Sequence, residues 1–199
     1  MAENRLIVLS FDDGPAPVDA LGTILTVLQT NAITAEFYLL GNEASEHPDA
    51  TRLIARHGHK IQNHSWSHPN LETADEAVVR SELERTQKII KEIAGVTPTR
   101  VRPPYGAGGW PTKYDPELAK VAKELSLSIN NWDVDTEDWR APRGIGPKKL
   151  ESIKTQLAKN KGKGVLNVLM HVQNETARDL SGFIKFLKTL GFKFAAPLG

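Results

Sequence analysis

The chain has 199 residues, 25 Lys+Arg against 24 Asp+Glu and a formal net charge of +1, with 40% hydrophobic and 25% charged residues. That is ordinary composition for a chain long enough to bury one core, and a single domain spanning 1–199 is the expectation. The near-neutral charge excludes a nucleic-acid binder that relies on broad phosphate neutralisation, and no apolar run approaches the ~18 residues of a membrane span. Cysteine is absent, which removes disulfide scaffolds, thiolate zinc sites, iron–sulfur clusters and cysteine nucleophiles.

The N-terminal Met1-Ala2-Glu3-Asn4-Arg5 leads straight into Leu6-Ile7-Val8-Leu9, which is too short for a signal-peptide core and reads as a strand. No signal peptide is read, so the chain is expected to be either cytoplasmic or a mature or excised domain. The turn signal Asp12-Asp13-Gly14-Pro15 follows. Leu21, Ile24, Leu25 and Leu28 recur at helical spacing and predict a helix from Ala20 to Thr30. Ala35 to Leu40 is the next strand, and Leu53 and Ile54 mark a helix stopping at His57-Gly58. Lys60 to Asn63 is a weaker strand. The longest helix is expected from Ala74 to Ala94, with Val78, Leu83, Ile90 and Ile93 toward the core, Glu84 facing Lys88 and Gly95 ending it.

Thr99 to Arg102 is a strand halted by Pro103-Pro104. Gly106 to Lys113 reads as a flexible loop carrying Trp110. A helix from Pro116 to Leu125 starts behind a capping Asp115. Then come a strand from Leu127 to Asn131, a helix from Pro147 to Lys159, a strand from Val165 to Met170, a helix from Thr176 to Leu190 and a strand from Phe192 to Ala195. This β-then-α alternation predicts parallel strands with outer helices, in an open doubly wound sheet or a barrel.

The polar residues hardest to explain structurally all follow expected strands. Asp12 and Asp13 follow the first, His64 and His68 the third, Arg102 ends the fourth, Asp133, Asp135 and Asp138 follow the fifth, and His171 follows the sixth. In parallel α/β folds those positions share the face where sites are built. His64 and His68, facing one way from a helical turn, would with a carboxylate form a His₂-carboxylate set that leaves coordination positions open. Adjacent residues leaving a strand diverge, so one of Asp12 and Asp13 can bind a metal while the other acts as base. A divalent metal acidifies water enough for an ordinary carboxylate to deprotonate it. His171 is a candidate general acid with Asp138 as its acidic partner. His47, His57 and His59 are read as surface or capping residues, and Trp66 and Trp132 as packing.

These residues spell a family pattern. Ser10-Phe11-Asp12-Asp13-Gly14-Pro15 resembles the T/S-F-D-D-G-P signature of the polysaccharide deacetylases, carbohydrate esterase family four, also called the NodB homology domain. His64-Ser65-Trp66-Ser67-His68 resembles its H-S/T-x-x-H element, Arg102-Pro103-Pro104-Tyr105-Gly106 its R-P-P-Y-G element, Asp133 to Trp139 its D-x-D-x-x-D-W element and Leu169-Met170-His171 its closing L-x-H. The resemblance implies a distorted, incomplete (β/α) barrel of about seven parallel strands. It also implies one divalent metal on Asp13, His64 and His68, with zinc expected and cobalt, nickel or manganese as the other candidates.

By the same resemblance Asp12 is the base and Arg102 holds it. The backbone N–H of Tyr105 helps stabilise the oxyanion, and His171 protonates the leaving group, tuned by Asp138. Trp139 and Leu169 line the acetyl pocket, and Pro103 is a further substrate contact. The loop from Gly106 to Trp110 departs from the family pattern, and its Trp110 is read either as a sugar-stacking platform over the groove or as a residue pinning the loop to the domain. Val172 stands where family members often carry Asp. The activity expected is metal-dependent removal of acetyl groups from N-acetylglucosamine polymers such as chitin, chito-oligosaccharides or peptidoglycan. The alternatives are O-deacetylation of acetylxylan and a non-catalytic carbohydrate-binding pseudoenzyme, against which all the mechanistic residues are present. A monomer, alone or as a module of a larger enzyme, working on a saccharide outside the cell or in its envelope completes the expectation. Two sequons, at Asn63 and Asn174, would matter only in a glycosylating host, and the one at Asn63 is read as coincidental because a glycan there would stand beside His64.

Overall fold

The computed structural model describes residues 5–197. In chain order the elements are β1 (Leu6–Asp12), α1 (Val18–Thr30), β2 (Glu36–Leu39), α2 (Gly41–Glu46), α3 (Pro48–Arg56), β3 (Lys60–Asn63), α4 (Glu76–Ala94), β4 (Arg100–Val101), β5 (Gly109–Trp110), β6 (Lys113–Tyr114), α5 (Pro116–Glu124), β7 (Ser128–Ile129), β8 (Val134–Asp135), α6 (Pro147–Lys159), β9 (Val165–His171), α7 (Asn174–Thr189) and β10 (Lys193–Phe194). The chain clusters into two compact units, one holding the residues up to Phe11, Ala16–Glu36 and those from Trp132, the other Asp12–Pro15 and Phe37–Asn131.

In the first unit β1 lies between β10 and β9, and β8 flanks β9. The pairings are parallel, with Ile7 opposite Phe194 and Val134 opposite Val168. Ile7, Val8, Leu9, Ser10 and Phe11 of β1 are buried in succession, the pattern of a strand covered on both faces. α1 and α7 pack on each other, burying Leu21, Ile24 and Leu28 with Leu180, Ile184 and Leu187.

In the second unit the strand order is β7-β4-β3-β2, again parallel, with Asn63 opposite Val101 and Arg100 opposite Ser128. α4 and α5 cover a cluster of Leu71, Val79, Leu83, Val101, Leu118, Val121, Ala122 and Leu127. Asp115 caps α5 by accepting from Leu118 N–H at 2.9 Å, and Gly95 closes α4 in the left-handed conformation at φ 71°. No helix among the described residues is long and apolar enough to cross a membrane.

Several expectations need correction. Gly106 to Lys113 is not a featureless loop: β5 and β6 pair antiparallel, with Trp110 opposite Lys113. Two short elements, α2 and β8, were not expected. On α4 it is Val79 that turns inward, while Val78 is exposed. Glu84 pairs with Arg80 at 3.5 Å and Lys88 with Glu92 at 3.9 Å, in place of a Glu84–Lys88 pair. His59 is buried against the Phe37 ring, because the chain turns inward after α3 to enter β3.

Candidate active site

β1 is a buried strand that ends in an acid. Asp12 is only 2% exposed, and its Oδ1 accepts Arg102 Nη1–H at 2.6 Å. Arg102 is itself fully buried. Its Nε donates to the Asn130 carbonyl at 3.2 Å and its Nη2 to the Asn131 carbonyl at 3.4 Å. The guanidinium also sits 4.0 Å from the centre of the Tyr38 ring. A planar fork held at three nitrogens and stacked on a ring has one available orientation, so Asp12 is fixed too. Asp13 follows at φ 70°, in the left-handed region. Asp12 Oδ2 and Asp13 Oδ1 both face His64 Nε2, at 3.6 and 3.4 Å, so the adjacent acids converge on one imidazole where the strand end suggested divergence.

Asp13 Oδ1 lies 3.4 Å from His64 Nε2 and 3.5 Å from His68 Nε2, and the three atoms lie within 4.8 Å of one another. His64 Nδ1 stands 2.7 Å from the Arg102 carbonyl, so Nδ1–H donates there and the Nε2 lone pair is the one turned to Asp13. A carbonyl on the far ring nitrogen is the support that metal-ligating histidines use. Two imidazole nitrogens and one carboxylate oxygen, with coordination positions left open, fit a divalent metal. Burial alone would lower the pKa of His64. Asp12 and Asp13 outweigh it and raise the pKa, so in the metal-free chain a proton competes for the nitrogen that a metal would use.

The segment carrying the histidines is not the helical turn that their spacing suggests. Ser65 and His68 both have positive φ, 70° and 63°, and the backbone is an irregular loop. The rings still meet, with centroids 5.1 Å apart, and the His68 ring packs edge-on to Tyr105 at 4.7 Å. Tyr105 sits at φ 62° with its side chain exposed. Asn63 is fully buried and donates to the Leu83 carbonyl at 2.9 Å, so the first sequon cannot carry a glycan in this fold.

In the other unit β9 ends at His171. Its Nδ1 lies 2.8 Å from Asp138 Oδ1, and Asp138 Oδ2 accepts the His171 backbone N–H at 2.8 Å as well as the Thr176 hydroxyl. Asp138 is fully buried, and this clamp orients the ring with Nδ1–H toward the carboxylate. Asp135 lies in β8, where burial raises its pKa despite the Glu137 N–H it accepts and the nearby His171. Asp133 serves the strands: it accepts the Asn167 N–H at 2.9 Å and pairs with Lys163. Trp139 is 46% exposed with the Arg140 guanidinium over its ring, whereas Leu169 and Val172 are buried. Pro103 is buried beneath Gly109, and Trp110 is exposed on the β5–β6 hairpin.

Sequence reasoning overlooked Glu82, which is buried and receives hydrogen bonds from the loop between the two histidines. The signal was there: Val79, Glu82, Leu83, Thr86 and Ile90 form one helical stripe, so a charged residue falls on the buried face. The carbonyls of Asn130 and Asn131, which fix Arg102, left no trace in side-chain chemistry.

A family model for polysaccharide deacetylases matches residues 2–129. The peptidoglycan-N-acetylglucosamine deacetylase PgdA of Listeria monocytogenes is 34% identical over 193 residues, covering 96% of this chain and 38% of that protein. A chitooligosaccharide deacetylase of Rhizobium leguminosarum bv. trifolii is 32% identical over 142 residues, 71% of this chain and 62% of that protein. This chain thus spans well under half the length of the Listeria relative. Among solved structures, a family 4 carbohydrate esterase from Streptomyces lividans in complex with acetate superposes with a TM-score of 0.79 at 27% identity, over 99% of this chain and 94% of that one. The fold expected from the motifs is therefore the fold of carbohydrate esterase family 4, and the chain belongs to the polysaccharide deacetylase family.

Proposed function

We propose that this chain is the catalytic domain of a metal-dependent deacetylase that hydrolyses the acetamide of N-acetylglucosamine residues in a saccharide polymer. The observation that carries the reading is the Asp13–His64–His68 donor set with an Arg102-held carboxylate, Asp12, beside it. The relatives' names support the substrate: the Listeria protein is named a peptidoglycan-N-acetylglucosamine deacetylase and the Rhizobium protein a chitooligosaccharide deacetylase. Zinc is the metal proposed, since two nitrogens and one oxygen suit it, and a secreted or envelope setting follows from such polymers.

When bound, the metal supplies Lewis acidity at the acetyl carbonyl and an acidified water. Asp12 takes the water's proton at Oδ2, because Oδ1 is committed to Arg102. The tetrahedral oxyanion is helped by the Tyr105 backbone N–H. His171 then gives the proton on Nε2 to the departing nitrogen while Nδ1–H stays on Asp138, and the C–N bond breaks to leave acetate and the free amine. Both groups are held before substrate arrives, which spares reorganisation during reaction.

The test separates ligand from base. Asp13→Ala should lose both metal and turnover. Asp12→Asn should keep the metal while kcat falls about 10²–10⁴-fold, the range for a lost general base. An Asp12→Asn enzyme with full turnover would remove Asp12 from the chemistry.

A further inference from the structure

Glu82 is a buried carboxylate on α4, outside every motif described above. Its Oε2 accepts the backbone N–H groups of Trp66 and Ser67, both at 2.8 Å, and its Oε1 accepts the Ser67 hydroxyl at 2.9 Å. Those donors belong to the segment between His64 and His68. We infer that Glu82 is a positioning residue for the metal centre: it holds the backbone of the His64–His68 loop in the conformation that brings both imidazoles onto Asp13. The inference rests on the metal-site reading proposed above.

The loop needs an external hold. Ser65 and His68 sit in the left-handed region, a conformation that a non-glycine residue keeps only where its surroundings hold it there. The segment makes no helix or ladder bonds of its own, so its backbone groups must find partners elsewhere. The structure supplies them from two sides. The start of α2 donates, Gly41 N–H to the Ser65 carbonyl at 3.0 Å and Asn42 N–H to the Trp66 carbonyl at 3.2 Å. Glu82 accepts from the other side. A charged acceptor makes roughly twice as strong a hydrogen bond as a neutral one, and Glu82 makes three of them onto two consecutive residues.

The same helix adds Arg85, whose guanidinium lies 3.9 Å over the Trp66 ring, and the Leu83 carbonyl that receives Asn63. Asn63 Oδ1 in turn accepts Ser65 N–H at 2.9 Å. Within the loop Ser65 Oγ accepts His68 N–H at 3.2 Å, and Glu82 holds the two residues between, Trp66 and Ser67, through one carboxylate. Loss of its carboxylate would leave two N–H groups and a hydroxyl to be re-satisfied, and the left-handed residues could relax.

The experiment is a Co²⁺ titration of metal-free wild type, Glu82→Ala, Glu82→Gln and Ser67→Ala. It is followed by visible absorption and by competition with a chelating dye, well below each melting temperature. Glu82→Ala should bind Co²⁺ about 10–100-fold more weakly, the usual effect of removing a supporting partner, with an altered ligand-field spectrum. Glu82→Gln should stay within about fivefold of wild type, since its carbonyl oxygen can accept both N–H groups and its amide can donate to Ser67 Oγ. Ser67→Ala, lacking one hydrogen bond, should lose about fivefold, and it decides the matter if Glu82→Ala does not fold.

Wild-type affinity and spectrum in Glu82→Ala, or in Ser67→Ala where the former does not fold, would overturn the inference. So would a Glu82→Gln variant as weak as Glu82→Ala, which would mean that the charge acts and not the hold. A wild type that binds no Co²⁺ would instead overturn the metal reading beneath it.

Discussion

Arg102→Met should be among the most destabilising single changes in the chain. Arg102 has no exposed surface, and its partner Asp12 is 2% exposed. Methionine keeps much of the stem's packing against Tyr38 but removes the Nη1–H that Asp12 Oδ1 accepts at 2.6 Å. It also leaves the Asn130 and Asn131 carbonyls without those donors. Breaking a buried ion pair by removing one member is worth about 3–5 kcal/mol, mostly the desolvation of the charge left behind. For a chain of this size each kcal/mol lowers the melting temperature by about 2–4 °C, so the drop should be roughly 6–20 °C. The assay is urea unfolding of metal-free protein, which keeps metal linkage out of the comparison. Adding Asp12→Asn removes the stranded charge, so the double variant should be more stable than the sum of the single effects predicts, by about 2 kcal/mol. Single effects that simply add, or a loss under about 1 kcal/mol for Arg102→Met, would refute the view that this pair is coupled and desolvated.

Burial, with a contribution from His57, lowers the pKa of His59 to about 4, so between the unfolded value near 6.5 and 4 the unfolded chain takes a proton that the folded chain refuses. Stability supported by the neutral ring is complete above pH 6.5 and falls as pH drops; the full step is about 3 kcal/mol, and solvent screening brings it to about 2. Chemical denaturation between pH 7 and pH 4 should show wild type losing that much more than His59→Gln, and parallel curves would refute it. A Cβ on Gly41 would stand 2.4 Å from Trp66 Cε3 and 2.5 Å from Thr86 Oγ1. Gly41→Ala should therefore destabilise by about 1–3 kcal/mol and weaken metal uptake, although alanine ordinarily stabilises a helix; a more stable variant would show that this packing is loose. His171→Ala should reduce turnover of an acetamide more than that of an acetyl ester, because an amine leaves poorly without a proton. Equal losses on the two substrates, read by acetate release, would count against His171 as the acid.

What was legible in the sequence was chemistry concentrated at strand ends. Asp12, Asp13, His64, His68 and Arg102 are residue types that a strand terminus rarely needs for folding, and the structure joins them within one unit. Asp138 and His171 meet in the other. The long helices were legible because their apolar spacing runs over several turns. The misses share a physical cause: they are short, or they depend on partners distant in sequence. β5 and β6 have two residues each, too few to show alternation, and α2 begins on Gly41, a poor helix former chosen for its closeness to Trp66. The left-handed turns at Asp13, Ser65, His68 and Tyr105 leave no mark in residue type, since none is glycine. Spacing thus paired His64 with His68 correctly while giving the wrong backbone for it. His59 reads as polar, and only the packing of Phe37 against it reveals a buried ring.

Acetate release tests the central claim most directly. Chelated protein and protein with zinc or cobalt restored would each be incubated with a chito-oligosaccharide, with peptidoglycan and with acetylated xylan. The account predicts release from an N-acetylglucosamine substrate that disappears on chelation and returns with the metal, and little or none from xylan. Release that survives chelation, or metal-loaded protein that liberates no acetate from any of the three, would contradict it.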